Sequence, residues 1–144
     1  MTERKTLSSY KCQRDIPTRW MDNDIYGHVN NVNYYSFFDT AVNGFLIEEG
    51  ALDIETSATI GLVVETGCKY FAPLSFPDIV VAGISVSHIG NSSVRYEVGL
   101  FKKGDLEPAA QGFFVHVYVD RTSRRPTSIP ETMKTVLTAI EGAD

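Results

Sequence analysis

The sequence has few cysteines and no long apolar run. Its two cysteines, Cys12 and Cys68, lie far apart and match neither a metal-ligand nor a CxxC spacing, so we expect reduced, packed thiols. No apolar run approaches the roughly 20 residues that span a bilayer, and the opening segment MTERKTLSSYKC lacks the apolar core of a secretion signal. We therefore expect a cytoplasmic protein that does not act in a membrane.

Basic residues are in the minority. Thirteen Lys and Arg face 18 Asp and Glu, and the resulting net charge of -5 argues against a broad nucleic-acid or anionic-membrane surface. Hydrophobic residues make up 43% and charged residues 22%, which excludes a disordered chain. Because 144 residues is a usual length for one domain, we predict a single globular domain over residues 1–144.

Apolar spacing predicts one long helix and five strands. Residues 31–49 carry apolar side chains at steps of three and four, with Asn30 or Asn31 available as the cap and Gly50 as the end. A first strand, Tyr10–Met21, contains Pro17 and is typical of a sheet edge or of a bulged strand. Four later segments alternate at period two and predict an antiparallel meander against the helix: residues 60–71, 79–89, 94–101 and 110–119.

The two helices have different apolar faces. In the long helix the face includes Val32, Tyr35, Phe38, Val42, Phe45 and Leu46, broadened by Phe37 and Ala41. In the tail, Pro130 is a plausible first helical residue, and the face of a short amphipathic helix consists of Met133, Val136, Leu137 and Ile140. Helices and antiparallel strands in this order indicate an α+β fold.

The densest cluster of polar residues is RWMDNDIYGHVNNVNYY, from Arg19 to Tyr35. It precedes the long helix, where backbone amides lack an intrahelical acceptor and the helix dipole is positive. Asp24 lies before this end, Gly27 permits a tight turn, and the amides near Asn31 open the helix. A carboxylate facing such amides can attack a carbonyl, or activate water to do so, while the amides receive the oxyanion. Alternatively, the aspartates of the cluster form turn hydrogen bonds.

Signatures of other chemistries are absent from the sequence. DNDIYG starts like a calcium loop, but Asn33 stands where the loop needs a bidentate Glu. The histidines His28, His88 and His116 are scattered and have no i, i+4 pair. There is no GxSxG, P-loop or GxGxxG motif. We expect neither a metal nor an organic cofactor.

The string RWMDNDIYGHVNNVNYYSFFDTA, followed by YFAPLSFPD and ISVSHIGNSSVRYEVGLFKKG, resembles the hotdog-fold acyl-CoA thioesterases of the 4-hydroxybenzoyl-CoA thioesterase family. The resemblance covers about Lys11 to Ile129, and its D-x-D-x-x-G-H-V-N-N spacing is specific. It implies a long central helix wrapped by a five-stranded antiparallel sheet. It also implies an acyl-CoA substrate and a homodimer or homotetramer, with active sites at the subunit boundary.

The resemblance also assigns roles to residues of the motif. Asp24 matches the catalytic carboxylate of the family. Asn31, seven positions later, matches the position whose backbone amide polarises the thioester carbonyl. His28 matches the histidine of the GHVNN branch, and its role stays open between positioning the loop and contacting substrate.

Other residues are secondary candidates. Asp39, in the long helix, is a rival nucleophile or base because another hotdog branch uses a helical acid. Glu65 lies in a strand rich in Val and Leu, where a buried acid would need a partner. Gly27 is a further substrate-binding candidate, as are three aromatic residues that either line an acyl tunnel or, as we favour, belong to the core: Tyr34, Tyr35 and Phe38.

Because the chain is acidic overall, binding the phosphates of coenzyme A requires a local cationic group. Candidates are Arg95, the Lys102–Lys103 turn, Arg124 and Arg125, and the resemblance favours Arg125. The working hypothesis is hydrolysis of an acyl-CoA by Asp24. Two alternatives stay open: a dehydratase or hydratase acting on 3-hydroxyacyl thioesters, and a non-catalytic module that binds acyl thioesters.

Overall fold

The computed structural model describes residues 4–53 and 56–142. The helices and strands are, in order, β1 (Cys12–Pro17), α1 (Asn31–Glu48), β2 (Thr59–Tyr70), β3 (Ile79–Ile89), β4 (Ser93–Lys102), β5 (Ala110–Asp120) and α2 (Glu131–Ala139). Short 3₁₀ helices occupy Leu7–Ser9 and Trp20–Asp22. The predicted α+β fold, with a long helix and a five-stranded antiparallel sheet, is confirmed.

The first strand is shorter than predicted. It ends at Pro17 rather than at Met21. Both the N–H and the Oγ1 of Thr18 donate to the carbonyl of Asp78, at 3.2 and 2.6 Å. The following residues then wind into the 3₁₀ helix instead of extending the ladder.

The sheet has the strand order β1-β3-β4-β5-β2, and all its pairs are antiparallel. The predicted meander is therefore correct for β3, β4 and β5 but wrong for β2, which pairs with β5 at the opposite edge. The free side of β3 is taken by β1. Residues 71–78 connect β2, at one edge of the sheet, to β3, beside the opposite edge strand. The N–H of Val29 donates to the carbonyl of buried Leu74 in this connection (2.7 Å).

Helix α1 packs on one face of the sheet. Its buried residues are Tyr34, Phe37, Phe38, Ala41, Val42, Phe45 and Leu46. The predicted stripe was wrong at its start, because Val32 is exposed and Tyr35 is half-buried, while Tyr34 turns inward against the β2 residue Tyr70. On β5, Gly112 makes room for the helix, since a Cβ at this residue would lie 2.8 Å from the Phe38 ring.

Helix α2 packs against β3 and adds its apolar residues to the hydrophobic core. Pro130 is its N-cap rather than its first helical residue, and the buried side chains are Met133, Leu137 and, at the C-cap, Ile140. The N–H of Val86 on β3 donates to the carbonyl of Ile140 (3.0 Å), which ties the tail to the sheet. No helix in the described part of the chain is long and apolar enough to cross a membrane. Both cysteines are free thiols, as expected.

Candidate functional site

A small hairpin of residues 22–30 links the 3₁₀ helix Trp20–Asp22 to α1. Its opposed residue pairs are Asp22–Asn30, Asn23–Val29 and Asp24–His28. The N–H of Asn30 donates to the Asp22 carbonyl, and the N–H of Asp24 donates to the His28 carbonyl, each at 2.9 Å. Gly27 closes the turn with a φ of +81°, a conformation that glycine adopts without strain. The hairpin thus places Asp24 beside its turn, whereas Asn30, at the opposite end of the hairpin, leads into the helix.

The carboxylate of Asp24 is held by one backbone group. Its Oδ1 accepts a hydrogen bond from the N–H of Tyr26 (2.9 Å), which is the turn contact that the alternative interpretation predicted. Its Oδ2 has no donor among the described residues. The half-buried side chain borders a surface groove that is also lined by Trp20, Met21, Asn23, Ile25 and Gly27. One carboxylate oxygen of Asp24 is therefore available to a ligand in that groove.

Asp22, the first aspartate of the motif, is fully engaged within the protein. Its side chain is 1% exposed. It accepts hydrogen bonds from Arg19: from the backbone N–H (2.7 Å), from Nε (3.1 Å) and from Nη2 (2.8 Å). Its carbonyl also accepts from Nδ2 of Asn33 (3.0 Å). Asp22 therefore organises the hairpin and offers no free oxygen for chemistry.

The connection between β2 and β3 clamps the same hairpin. The hydroxyl of Ser75 donates to the Gly27 carbonyl (2.9 Å), and the N–H of Phe76 donates to Oδ1 of Asn23 (3.0 Å). The Phe76 ring packs edge-on against Trp20, with 6.0 Å between the ring centroids. These contacts fix the turn that carries Asp24, and sequence reasoning missed them because residues so far apart leave no local pattern.

The start of α1 supplies backbone donors. Asn30 caps the helix, because its Oδ1 accepts from the N–H of Val32 (3.0 Å) and its carbonyl accepts from the N–H of Asn33 (2.9 Å). In the part of the chain that the structure describes, the N–H of Asn31 has no acceptor, and this residue is exposed. A free donor at the positive end of a helix favours a negatively charged oxygen.

Aromatic side chains surround this helix end. Tyr34 and Phe38 are buried in the core, whereas Tyr35 is half-buried and packs edge-on against Phe38 at 6.0 Å. Tyr70, the last residue of β2, packs against Tyr34 at 4.9 Å and donates from its hydroxyl to the Asn31 carbonyl (3.3 Å). The sequence carries no signal for this role of Tyr70, since the contact joins two elements far apart in the chain.

The rival acids are not brought to the hairpin. Asp39 is exposed on α1, where its Oδ1 accepts from Nδ2 of Asn43 (2.7 Å). Glu65 is exposed rather than buried, because it follows a register shift in β2 at the sheet edge. His28 is also exposed, and within the described residues only its backbone carbonyl forms a hydrogen bond.

The cationic candidates divide into paired and unpaired groups. Arg95 donates to Glu97 (2.9 Å) and lies 4.0 Å over the Phe113 ring. The two lysines of the 102–103 turn lie beside acidic residues. Arg124 and Arg125 are exposed and, within residues 4–53 and 56–142, neither has an acidic partner.

Arg125 lies at the other end of β2 from the hairpin. Its carbonyl accepts from the N–H of Asp120 (2.9 Å), and Asp120 is opposite Thr59 at the start of β2. Tyr70, at the end of the same 12-residue strand, touches the helix start. At about 3.3 Å per residue the two ends are roughly 35 Å apart. Arg125 and Asp24 of one chain therefore do not face the same small ligand.

Comparison with known proteins gives a consistent result. Residues 18–137 match the model of a family described as the thioesterase-like superfamily. The PA5185 protein from Pseudomonas aeruginosa strain PAO1 is 52% identical, with a TM-score of 0.95 over 98% of this chain and 99% of that chain. The putative thioesterase PA2801 from Pseudomonas aeruginosa is 28% identical, with a TM-score of 0.81 over 92% and 99%.

A third similar structure has a named substrate. The BH1999 gentisyl-coenzyme A thioesterase is 25% identical, with a TM-score of 0.77 over 88% of this chain and 99% of that chain. A search of curated proteins found no match.

Proposed function

The chain belongs to the thioesterase-like superfamily and is a thioester hydrolase, and we propose that its substrate is an acyl-coenzyme A. The observation that carries the proposal is the hairpin of residues 22–30, whose turn presents a free Asp24 oxygen and whose other end leads into a helix with a free first N–H. The 25% identity to a protein named as a gentisyl-coenzyme A thioesterase supports coenzyme A as the thiol carrier.

Asp24 is the proposed catalytic carboxylate. In one route its free oxygen attacks the thioester carbonyl carbon, and the tetrahedral intermediate collapses by expelling the coenzyme A thiolate, which takes up a proton. Water then hydrolyses the resulting mixed anhydride and releases the acid and the carboxylate. In the other route the same oxygen takes a proton from water as the water attacks, and the tetrahedral intermediate then expels the coenzyme A thiolate, which takes up that proton. Both routes need the Asp24 oxygen to face the carbonyl, and both leave the enzyme unchanged.

The Asn31 amide is the proposed oxyanion donor. As the thioester carbon becomes tetrahedral, its oxygen gains negative charge, and a backbone N–H at the positive end of a helix stabilises that charge. Loss of one such donor typically costs about a hundred- to a thousand-fold in rate. Because the donor belongs to the backbone, substitution of the Asn31 side chain does not remove it.

The acyl group is proposed to enter beside the first two turns of α1. Half-buried Tyr35 would border it, while the buried rings of Tyr34 and Phe38 shape the wall from behind. The Gly27 turn borders open space, since no atom lies within 4 Å of the position where its Cβ would be. The exposed side chain of His28, which is opposite Asp24 in the hairpin, is proposed to contact substrate.

A homodimer is proposed to complete the site. β2 forms one edge of the sheet and exposes Leu62, Val63 and Val64 by 38, 46 and 59%. Such edges are usually covered or paired. Antiparallel pairing with β2 of a second copy would satisfy the free backbone groups of this edge and bring these side chains and Glu65 to the subunit boundary. It would also bring the start of the second β2, with the second copy's Arg125, beside the Tyr70 end of the first. Light scattering tests this state, and a monomer at micromolar concentration contradicts it.

The function is tested by thiol release from a panel of aliphatic and aromatic acyl-CoAs, with mass spectrometry of the acid. Release of thiol and acid in equal amounts from at least one member supports the proposal. Water addition to an enoyl-CoA without thiol release would indicate a hydratase instead. Tight acyl-CoA binding without turnover of any member would indicate a binding module.

A further inference from the structure

We infer that Tyr70 is a positioning residue for the oxyanion donor, an inference that rests on the proposed function. Its hydroxyl joins the sheet to the first peptide of α1 by donating to the Asn31 carbonyl (3.3 Å). The carbonyl and the N–H of Asn31 belong to successive peptide planes that meet at its α-carbon. Because Asn31 is the first residue of α1, its helical φ and ψ set the angle between those planes, so a contact that holds the carbonyl also restrains the N–H.

The phenol is anchored on a rigid base. Tyr70 is opposite Ala110 in the β2–β5 ladder, and beyond it the N–H groups of Phe71 and Ala72 both donate to the Ala109 carbonyl, at 2.8 and 3.1 Å. The Tyr70 ring packs on Tyr34, which is 3% exposed. Because the backbone and the ring of Tyr70 are both held, its hydroxyl has a defined position.

The other restraints on the helix start come from a different direction. Asn30 is tied to the hairpin through the Asp22 carbonyl, and Val29 is tied to Leu74. Neither contact reaches the helix from β2. In an α-helix the Asn31 carbonyl also accepts the N–H of Tyr35, so the Tyr70 hydroxyl takes its second lone pair. Tyr70 therefore adds a restraint against rotation of the first turn away from the sheet.

The Tyr70 hydroxyl remains a donor at working pH. Burial raises its pKa above the usual value, and the neighbouring Cys68 thiol and Tyr35 hydroxyl raise it further. Burial likewise raises the pKa of Cys68, to about 11, so the thiol next to it is uncharged at neutral pH. The neutral phenol can thus donate throughout the range in which a thioesterase is assayed.

The test is Tyr70→Phe, which keeps the ring and removes the hydroxyl. The substrate is the acyl-CoA that the wild type turns over fastest. The expected result is a fall in kcat of about five-fold, the size of effect typical for one neutral hydrogen bond, with KM within about two-fold. The Ki of the matching S-alkyl-CoA thioether, which has no carbonyl oxygen, should be unchanged. Because the residue is 41% exposed, Tm should stay within about 2 °C.

Tyr118→Phe is the matched control. Its buried hydroxyl contacts Tyr96 (3.2 Å), away from the hairpin, so its loss should lower Tm and leave kcat unchanged. The inference is overturned if Tyr70→Phe keeps the wild-type kcat, if it raises KM alone, or if Tyr118→Phe loses kcat equally. Asp24→Asn, assayed in parallel, separates the two claims: its inactivity beside a fully active Tyr70→Phe overturns this inference alone. Absence of turnover by the wild type overturns both.

Discussion

The carboxylate of Asp22 accepts three hydrogen bonds from a single residue, Arg19, at 2.7 to 3.1 Å. Two positions later, the carboxylate of Asp24 accepts one, from the backbone of Tyr26. Two aspartates in one motif thus have opposite environments. The carboxylate of Asp22 is fully used in hydrogen bonds within the fold, whereas one oxygen of Asp24 has no donor among the described residues and borders the groove.

This division predicts different effects of removing each carboxylate. Asp22→Ala removes a buried carboxylate and leaves the backbone N–H of Arg19 without its acceptor, so we expect the free energy of unfolding to fall by about 1–3 kcal/mol. Asp24→Asn keeps a side-chain oxygen for the Tyr26 N–H, so its stability should stay within about 0.5 kcal/mol of wild type. Urea denaturation of both variants measures the difference, and equal losses would contradict the assignment.

A second prediction concerns pH and the core residue His116. It is 2% exposed, and its Nδ1 lies 3.5 Å from the Tyr118 hydroxyl. Burial lowers its pKa from 6.5 to about 4. Between these values the unfolded chain binds a proton that the folded chain does not, so stability falls as the pH drops below 6.5. The expected loss from this group is about 2 kcal/mol between pH 6.5 and 5.

His116→Phe is the variant that tests this linkage. Phenylalanine retains the ring contacts with Phe114 and Tyr118 but cannot be protonated. Unfolding measured at pH 7.5 and at pH 5 should show a smaller acid loss in this variant than in the wild type. Equal acid losses in the wild type and His116→Phe would contradict the prediction.

Features encoded by neighbouring residues could be predicted from the sequence. A cap at Asn30 or Asn31, a turn at Gly27 and a long helix that follows depend on residues within one short segment. All three occur in the structure, with Asn30 as the cap. The α+β class could be predicted for the same reason, because apolar periodicity reports each element separately.

Features that depend on contacts between distant segments could not be predicted. The position of β2 beside β5 follows from the pairing of β1 with β3, which no local pattern encodes. The inward turn of Tyr34 in place of Tyr35 depends on where Tyr70 lies. The exposure of Glu65 follows from the edge position of β2, so a strand rich in Val and Leu gave the wrong expectation of burial.

A third prediction follows from the separation of Arg125 and Asp24 along β2. If the second copy's Arg125 binds the phosphates at each site, Arg125→Ala should raise KM for acyl-CoA by about ten-fold and change kcat little. Co-expressed Asp24→Asn and Arg125→Ala chains should form mixed dimers in which one site carries both defects and the other carries neither. Such dimers should keep about half of the wild-type activity at low substrate. Activity no higher than that of the parent variants would show that Arg125 acts within its own chain.

The central claim is that the Asp24 carboxylate attacks the thioester or activates the water that does. The most direct test is kcat for thiol release by Asp24→Asn, with the acyl-CoA that the wild type turns over fastest and with folding verified by thermal unfolding. An amide is a poor base and a poor nucleophile, so we predict a fall of at least about a hundred-fold in a chain of unchanged stability. Undiminished turnover by the folded variant would contradict the claim.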